Sequence, residues 1–276
     1  MGKKSPKALV LAGYGINCDY ETFTACKLAG FDPHRVHLKD LLGSGRRIFD
    51  YNLIVFPGGF TFGDDLGSGV AFSAKIRYSA GEGGTGLYDC LMEFISRDGL
   101  ILGVCNGFQI LVRLGIIPAA GGAYGEQQMT LGFNREGTFL NRWVNLEVEK
   151  SPNVFTRGLK NVRLPVRHGE GRLIAEELTL ETVEKNEQVP IRYGDGSFKA
   201  TQRFPWNPNG SQNAIAGLCD PTGRVFGLMP HPEAAVSIYQ YPDWTLVRER
   251  AKRSGAPFSE EGDGLALFKN ACHYVS

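Results

Sequence analysis

The chain has 276 residues, a length that at roughly 100–200 residues per domain holds one large α/β domain or two small ones. Lys and Arg total 30 against 29 Asp and Glu, a formal net charge of +1, so no basic excess exists to attract nucleic acid or an anionic membrane. With 42% hydrophobic and 21% charged residues the composition excludes wholesale disorder and predicts a globular protein. Six cysteines without a C-x-x-C pair suggest neither a disulfide scaffold nor a zinc or redox motif, and reduced thiols are expected.

Residues 1–6 form a short basic extension, and the apolar run behind them is too short for a signal peptide. No uncharged stretch reaches the ~20 residues of a membrane span, so the expectation is a cytoplasmic protein with no membrane and no nucleic-acid partner. Three apolar, β-branched runs, at 8–12, 53–56 and 100–104, each end in a glycine-rich turn and pass into a helical pattern. Between the first two, residues 19–29 read as a helix capped by Asn17 or Asp19, and 35–38 as a further strand. Apolar runs without alternation predict strands covered on both faces, hence an α/β fold with a mostly parallel central sheet flanked by helices.

The second half changes character. Residues 144–148, 162–166 and 189–193 alternate and predict half-exposed strands in a smaller antiparallel portion. Residues 215–218 and 224–228 flank Asp220-Pro-Thr-Gly223 and read as a hairpin, and 264–274 as a final helix with Leu265, Leu267, Phe268 and Ala271 at core spacing. The sequon at Asn209 reads as a chance match or a turn, and no linker interrupts residues 7–276, which are expected to form one domain.

Chemistry concentrates in three segments. Gly103-Val104-Cys105-Asn106-Gly107 stands where a buried strand hands over to an amphipathic helix, the glycine-x-nucleophile-x-glycine form of an elbow. Cys105 at a helix N-terminus suits a thiolate, and the N–H of Asn106 suits an oxyanion. Of five histidines only His231 arrives with a partner, in Met229-Pro-His-Pro-Glu233, where Glu233 can hold the Nδ1 proton and residues two apart on an extended chain face the same side. Phe56-Pro-Gly-Gly-Phe60 follows the second central strand and offers further backbone N–H donors. A phosphate-cradling loop is the rival reading, but no G-x-x-x-x-G-K-[ST] occurs.

Together, Pro57-Gly-Gly-Phe-Thr-Phe-Gly-Asp-Asp65, Gly103-Val-Cys-Asn-Gly-Phe-Gln109, His168-Gly-Glu-Gly-Arg172, Asn207-Pro-Asn-Gly-Ser211 and Met229-Pro-His-Pro-Glu233 resemble the class I (triad) glutamine amidotransferases, from residue 8 to about 274. The resemblance implies a flavodoxin-like α/β glutaminase with Cys105 as nucleophile, His231 as acid/base and Glu233 as its orienter. It places Gly58, Gly59 and Phe60 in the oxyanion loop, and gives Gln109 and the His168-Gly169 turn a part in holding glutamine. Within the family the motifs are most similar to a glutaminase subunit of purine biosynthesis, which feeds ammonia to a synthetase subunit and admits a further small subunit. ATP and Mg would then sit on the synthetase, with no metal or cofactor in this chain. Tyr239, Tyr241 and Trp244 are candidates for the partner surface.

The chain departs from the family at Ala234, where Arg is frequent, and at Glu136-Gly-Thr-Phe139, usually Ser-Gly-Arg-Phe, so the Arg-dependent contacts of the family are not expected there. Residues 80–85 and 176–188 read as insertions. Two other readings stay open: a different cysteine hydrolase of the same fold, and a non-catalytic glutamine-binding or regulatory subunit.

Overall fold

The computed structural model describes residues 5–81 and 84–276. The residues called a basic extension and the first insertion therefore lie partly outside the described residues.

β1 (Lys7–Ala12), β3 (Leu53–Phe56) and β4 (Leu100–Val104) are the three apolar runs, and β2 (Asp32–His37) lies outside β1. All of β3 and β4 is buried, which explains why these strands are apolar throughout and not alternating. The sheet has nine strands in the order β2-β1-β3-β4-β11-β10-β9-β6-β7. The members are β6 (Leu140–Val148), β7 (Asn161–His168), β9 (Ile191–Gly194), β10 (Ile215–Cys219) and β11 (Val225–Leu228). Pairings from β2 through β11 are parallel, and those from β11 through β7 are antiparallel. The antiparallel portion thus continues the central sheet. A separate ribbon of β5 (Met129–Phe133) and β8 (Glu170–Ala175) has no counterpart in the sequence reading.

Helices α1 (Asp19–Leu28), α2 (Leu38–Gly43), α3 (Val70–Tyr78), α4 (Leu87–Ser96), α5 (Asn106–Arg113), α6 (Glu177–Lys185), α7 (Trp244–Ser254) and α8 (Asp263–Val275) complete the chain. Cys18 caps α1 instead of Asn17 or Asp19, without a side-chain bond, because Asp19 is held by Arg35 at 2.6 Å. The core positions named for the last helix, Leu265, Leu267, Phe268 and Ala271, are all buried. α6 occupies most of the segment read as the second insertion, and Gln188 behind it donates to the carbonyls of Pro118 and Cys219 at 2.7 and 3.0 Å. Among the described residues no helix is long and apolar enough to cross a membrane.

The aromatic group near the C-terminus divides. Tyr239 is exposed and Trp244 half-buried, their rings meeting edge-on at 5.2 Å. Tyr241 is buried, its hydroxyl donating to the Arg163 carbonyl at 3.1 Å and accepting from the Asp263 N–H at 2.8 Å. It joins α8 to β7 and is not a partner-surface residue.

Candidate functional site

The loops at the carboxyl ends of the parallel strands converge at one place, as open α/β sheets require. β4 ends at Val104, and Cys105 turns the chain into α5 with φ 53° and ψ −106°, a conformation that a non-glycine residue holds only under constraint. The constraint is packing. A Cβ on Gly107 would stand 1.8 Å from the Phe56 carbonyl oxygen, and one on Gly103 would stand 2.6 Å from Leu111 Cδ1. Both glycines of the elbow are therefore required for α5 to lie against the strands.

Although 126 positions separate Cys105 from His231 in the sequence, the sheet register removes the distance. β11 lies parallel to β4 with Leu228 opposite Val104, and the Cys105 N–H donates to the Leu228 carbonyl at 2.8 Å. The chains leaving the two strands emerge side by side, and the His231 N–H is tied to the Pro165 carbonyl on β7 at 2.8 Å. His231 Nδ1 and Glu233 Oε1 are 2.6 Å apart, both side chains almost wholly buried. Glu233 reaches the ring by a different route from the expected one: Pro232–Ala235 is a 3₁₀ turn that folds the carboxylate back.

Burial works against charge on His231, but Glu233 and Cys105 outweigh it and hold the imidazole well above its ordinary 6.5. Its Nε2 and the second oxygen of Glu233 have no hydrogen-bond partner among the described residues.

A cleft of about 420 Å³ opens over Cys105, lined by Gly59, Phe60, Gln109, His168 and Gly169. Gly58, Asn106, His231 and Glu233 are not among its lining residues. Thr138 and Phe139, from the segment that departs from the family pattern, form part of the far wall, with the Phe139 ring 6.4 Å from that of Phe60. Ala234, the other departure, is buried in the 3₁₀ turn.

The glycine loop contributes fewer donors than its sequence suggests. The Phe60 N–H donates to the Gly15 carbonyl at 2.9 Å, while the Gly58 carbonyl accepts from Asn17 and Cys18 at 3.2 Å. The expectation that Phe60 offers an oxyanion donor is thereby corrected. Among the described residues the N–H of Gly59 makes no hydrogen bond, and that of Asn106, at the first turn of α5, has no intrahelical acceptor.

The Asn106 side chain is a strut. Its oxygen accepts from the Thr61 hydroxyl at 2.7 Å, and its amide donates to Gln109 Oε1 at 3.0 Å and Asp64 Oδ1 at 3.3 Å. Gln109 in turn donates to the Glu170 carbonyl at 2.9 Å, so both ends of its amide are engaged by the scaffold. His168 is buried and its Nδ1 sits 2.9 Å from Asn134 Oδ1. Burial, reinforced by His231, pulls its pKa down to about 3, so the ring is neutral. Asn209 donates to the Gly171 carbonyl at 2.8 Å and is wholly buried, so the sequon is a turn that holds β8.

Several residues at the site were not singled out by sequence. Cys18 places Sγ 3.9 Å from His231 Nδ1. Asp64, Ser68 and Glu170 line the cleft, and Arg113 donates to the Ser68 carbonyl at 2.6 Å. The signal available for Cys18 was its place in the glycine-rich loop after β1, at the carboxyl end of a parallel strand.

The geometry can be set beside known proteins. Residues 5–275 match the model of the CobB/CobQ-like glutamine amidotransferase domain. The phosphoribosylformylglycinamidine synthase subunit PurQ of Methanococcus maripaludis strain S2 is 42% identical over 278 residues, with the whole of both chains covered. The chain belongs to the glutamine amidotransferase family. The subunit of the same name from Dehalococcoides mccartyi is 40% identical over 98% of this chain and 97% of its own. Among solved structures, PurLQS from Thermotoga maritima matches with a TM-score of 0.71 and 30% identity over 99% of this chain and all of that one. A second Thermotoga maritima glutamine amidotransferase, at 12% identity and a TM-score of 0.53, shares the fold.

Proposed function

We propose that the chain is the glutaminase subunit of phosphoribosylformylglycinamidine synthase, acting in the cytoplasm. It hydrolyses glutamine to glutamate and ammonia, and the ammonia passes to a synthetase subunit. There it serves the ATP-dependent conversion of formylglycinamide ribonucleotide to formylglycinamidine ribonucleotide in purine biosynthesis. The observation that carries this reading is the strained Cys105 elbow with the His231–Glu233 pair beside it, in a chain that matches PurQ subunits end to end.

The Cys105 thiolate attacks the side-chain carboxamide carbon of glutamine, and the oxyanion that forms is met by the N–H groups of Gly59 and Asn106. His231 protonates the departing nitrogen as the C–N bond breaks, leaving a γ-glutamyl thioester and ammonia. Water then adds to the thioester with His231 taking its proton, and the C–S bond breaks to give glutamate and restore the thiolate. Glu233 orients the ring and balances its charge. The Asn106–Gln109–Glu170 chain of bonds holds α5, the Thr61–Asp64 loop and β8 around the cleft.

ATP and Mg belong to the synthetase, and a further small subunit completes the assembly. Ammonia becomes ammonium in bulk water and loses its nucleophilicity, so the two sites are joined by a shielded passage. The test is glutamate release from glutamine by the purified chain, with and without the synthetase subunit, beside Cys105→Ala. Release that rises with the partner and vanishes in Cys105→Ala supports the reading. Release untouched by Cys105→Ala overturns it, and glutamine binding without any covalent adduct favours a binding subunit.

A further inference from the structure

Cys18 Sγ, His231 Nδ1 and a Glu233 carboxylate oxygen all lie within 4.8 Å of one another, a cluster in which the thiol plays no part in the proposed reaction. The loop after β1 fixes the thiol: the Cys18 N–H donates to the Gly58 carbonyl, and Sγ donates to Asn17 Oδ1 at 3.3 Å. Sulfur, imidazole nitrogen and carboxylate oxygen are the donor set of zinc-class cations, which bind at about 2.3 Å to sulfur and 2.0–2.2 Å to nitrogen and oxygen. A tetrahedral ion with those bond lengths separates sulfur from nitrogen by roughly 3.6 Å, close to the 3.9 Å found here.

A separate observation concerns the same carboxylate. The second carboxylate oxygen of Glu233 is buried without a hydrogen-bond partner among the described residues, a costly condition for a charged group. A cation held by both carboxylate oxygens, with Oε1 toward His231 Nδ1, would satisfy it. The Nδ1–Oε1 distance of 2.6 Å would widen to roughly 3.3 Å as the ion takes the proton's place.

We propose that Cys18, His231 and Glu233 form an inhibitory site for a zinc-class divalent cation. Binding exchanges two protons for the ion, one from the Cys18 thiol and one from His231 Nδ1, and bonds the metal to three side chains without any change of oxidation state. The consequence for turnover rests on the glutaminase reading: with Nδ1 ligated, Glu233 no longer orients a free imidazole, and His231 cannot accept a charge. The binding itself does not depend on that reading.

Titration of the full chain with Co²⁺, followed by its thiolate-to-metal charge-transfer band, tests the site directly. One ion per chain and two released protons are expected, equally in Cys105→Ala, where the nucleophile is gone. Both Cys18→Ala and Cys18→Ser should lose the band and weaken binding by more than roughly 100-fold. Wild-type glutamate release with the synthetase present should fall in step with added Zn²⁺ and return with a chelator. No band in wild type, a band that persists in folded Cys18→Ala, or a band that vanishes in Cys105→Ala would each overturn the site. A band without any glutamate release would remove the glutaminase reading and leave the metal site standing.

Discussion

The Phe56 carbonyl oxygen at the end of β3 stands 1.8 Å from the position a Cβ on Gly107 would occupy. That contact sets how closely α5 lies on the sheet, and through it where Cys105 points. The obstacle is backbone, so a side chain at 107 cannot be accommodated by a rotamer change, and the helix must move. Gly107→Ala is expected to cost about 3 kcal/mol or more in denaturant unfolding and to abolish glutamate release. Gly132→Ala on β5, whose Cβ would meet only Ile174 Cδ1 at 3.8 Å, should change stability by less than about 0.5 kcal/mol. Equal effects at the two positions would contradict this account of the elbow.

Gly15 should matter as much as the residues that face glutamine. It holds φ +96°, and a Cβ there would lie 2.2 Å from the Phe60 carbonyl oxygen, on the loop whose Phe60 N–H it accepts. Gly15→Ala should therefore displace the Gly58-Gly59-Phe60 segment and impair the oxyanion donor at Gly59. The expected loss is about 10²–10³-fold in kcat, the scale of losing one such donor, with a smaller change in KM. A variant that folds and retains wild-type kcat would remove the loop from the oxyanion site.

How much of this was legible in sequence depended on how local each signal was. β3 and β4 could be read because strands buried on both faces are apolar at every position, and the β10–β11 hairpin because Asp-Pro-Thr-Gly writes its turn chemistry into four residues. Cys105, His231 and Glu233 could be named because each sits in a short motif, but their meeting depends on the register of Leu228 against Val104, which neither motif contains. β5 and β8 escaped notice: Met129–Phe133 and Glu170–Ala175 are short, carry internal glycines and pair only with each other. The engagement of the Phe60 N–H by Gly15 and the burial of Tyr241 depend on contacts across 45 and 78 positions, beyond any local pattern.

His168 ties stability to pH. Its folded pKa of about 3 lies below the unfolded value of 6.5, so below pH 6.5 the unfolded chain binds a proton that the folded chain refuses. Stability from this group is complete above 6.5 and falls as pH drops toward 3. At pH 5 the loss is about 2 kcal/mol, from 1.36 kcal/mol for each unit below 6.5. Urea unfolding of wild type and His168→Gln at pH 7 and pH 5 should show the wild type losing about that much more than the variant. An identical pH dependence in both would mean that His168 titrates as an ordinary exposed histidine.

Glu233→Gln isolates the charge of the carboxylate from its shape, since glutamine fills the same buried space and can still accept from His231 Nδ1. Two opposing effects act on the ring: burial disfavours its charge, and Glu233 together with Cys105 favours it strongly enough to hold the pKa well above 6.5. Removing the anion leaves burial opposed mainly by Cys105, so the His231 pKa should fall, which ring-proton NMR across pH 5–9 would follow. The same loss should lower kcat by about 10⁴-fold, as expected for an orienting carboxylate made neutral, because the ring can no longer hold in place, as a compensated charge, the proton it gives to the departing nitrogen. Linkage fixes the sign of the stability change. A folded pKa above the unfolded one contributes stability below pH 6.5 that is lost as pH rises through the folded value, so the variant should be destabilised most on the acid side. An unshifted His231 pKa in Glu233→Gln, with activity retained, would show that the 2.6 Å contact is packing and not the source of the ring's charge.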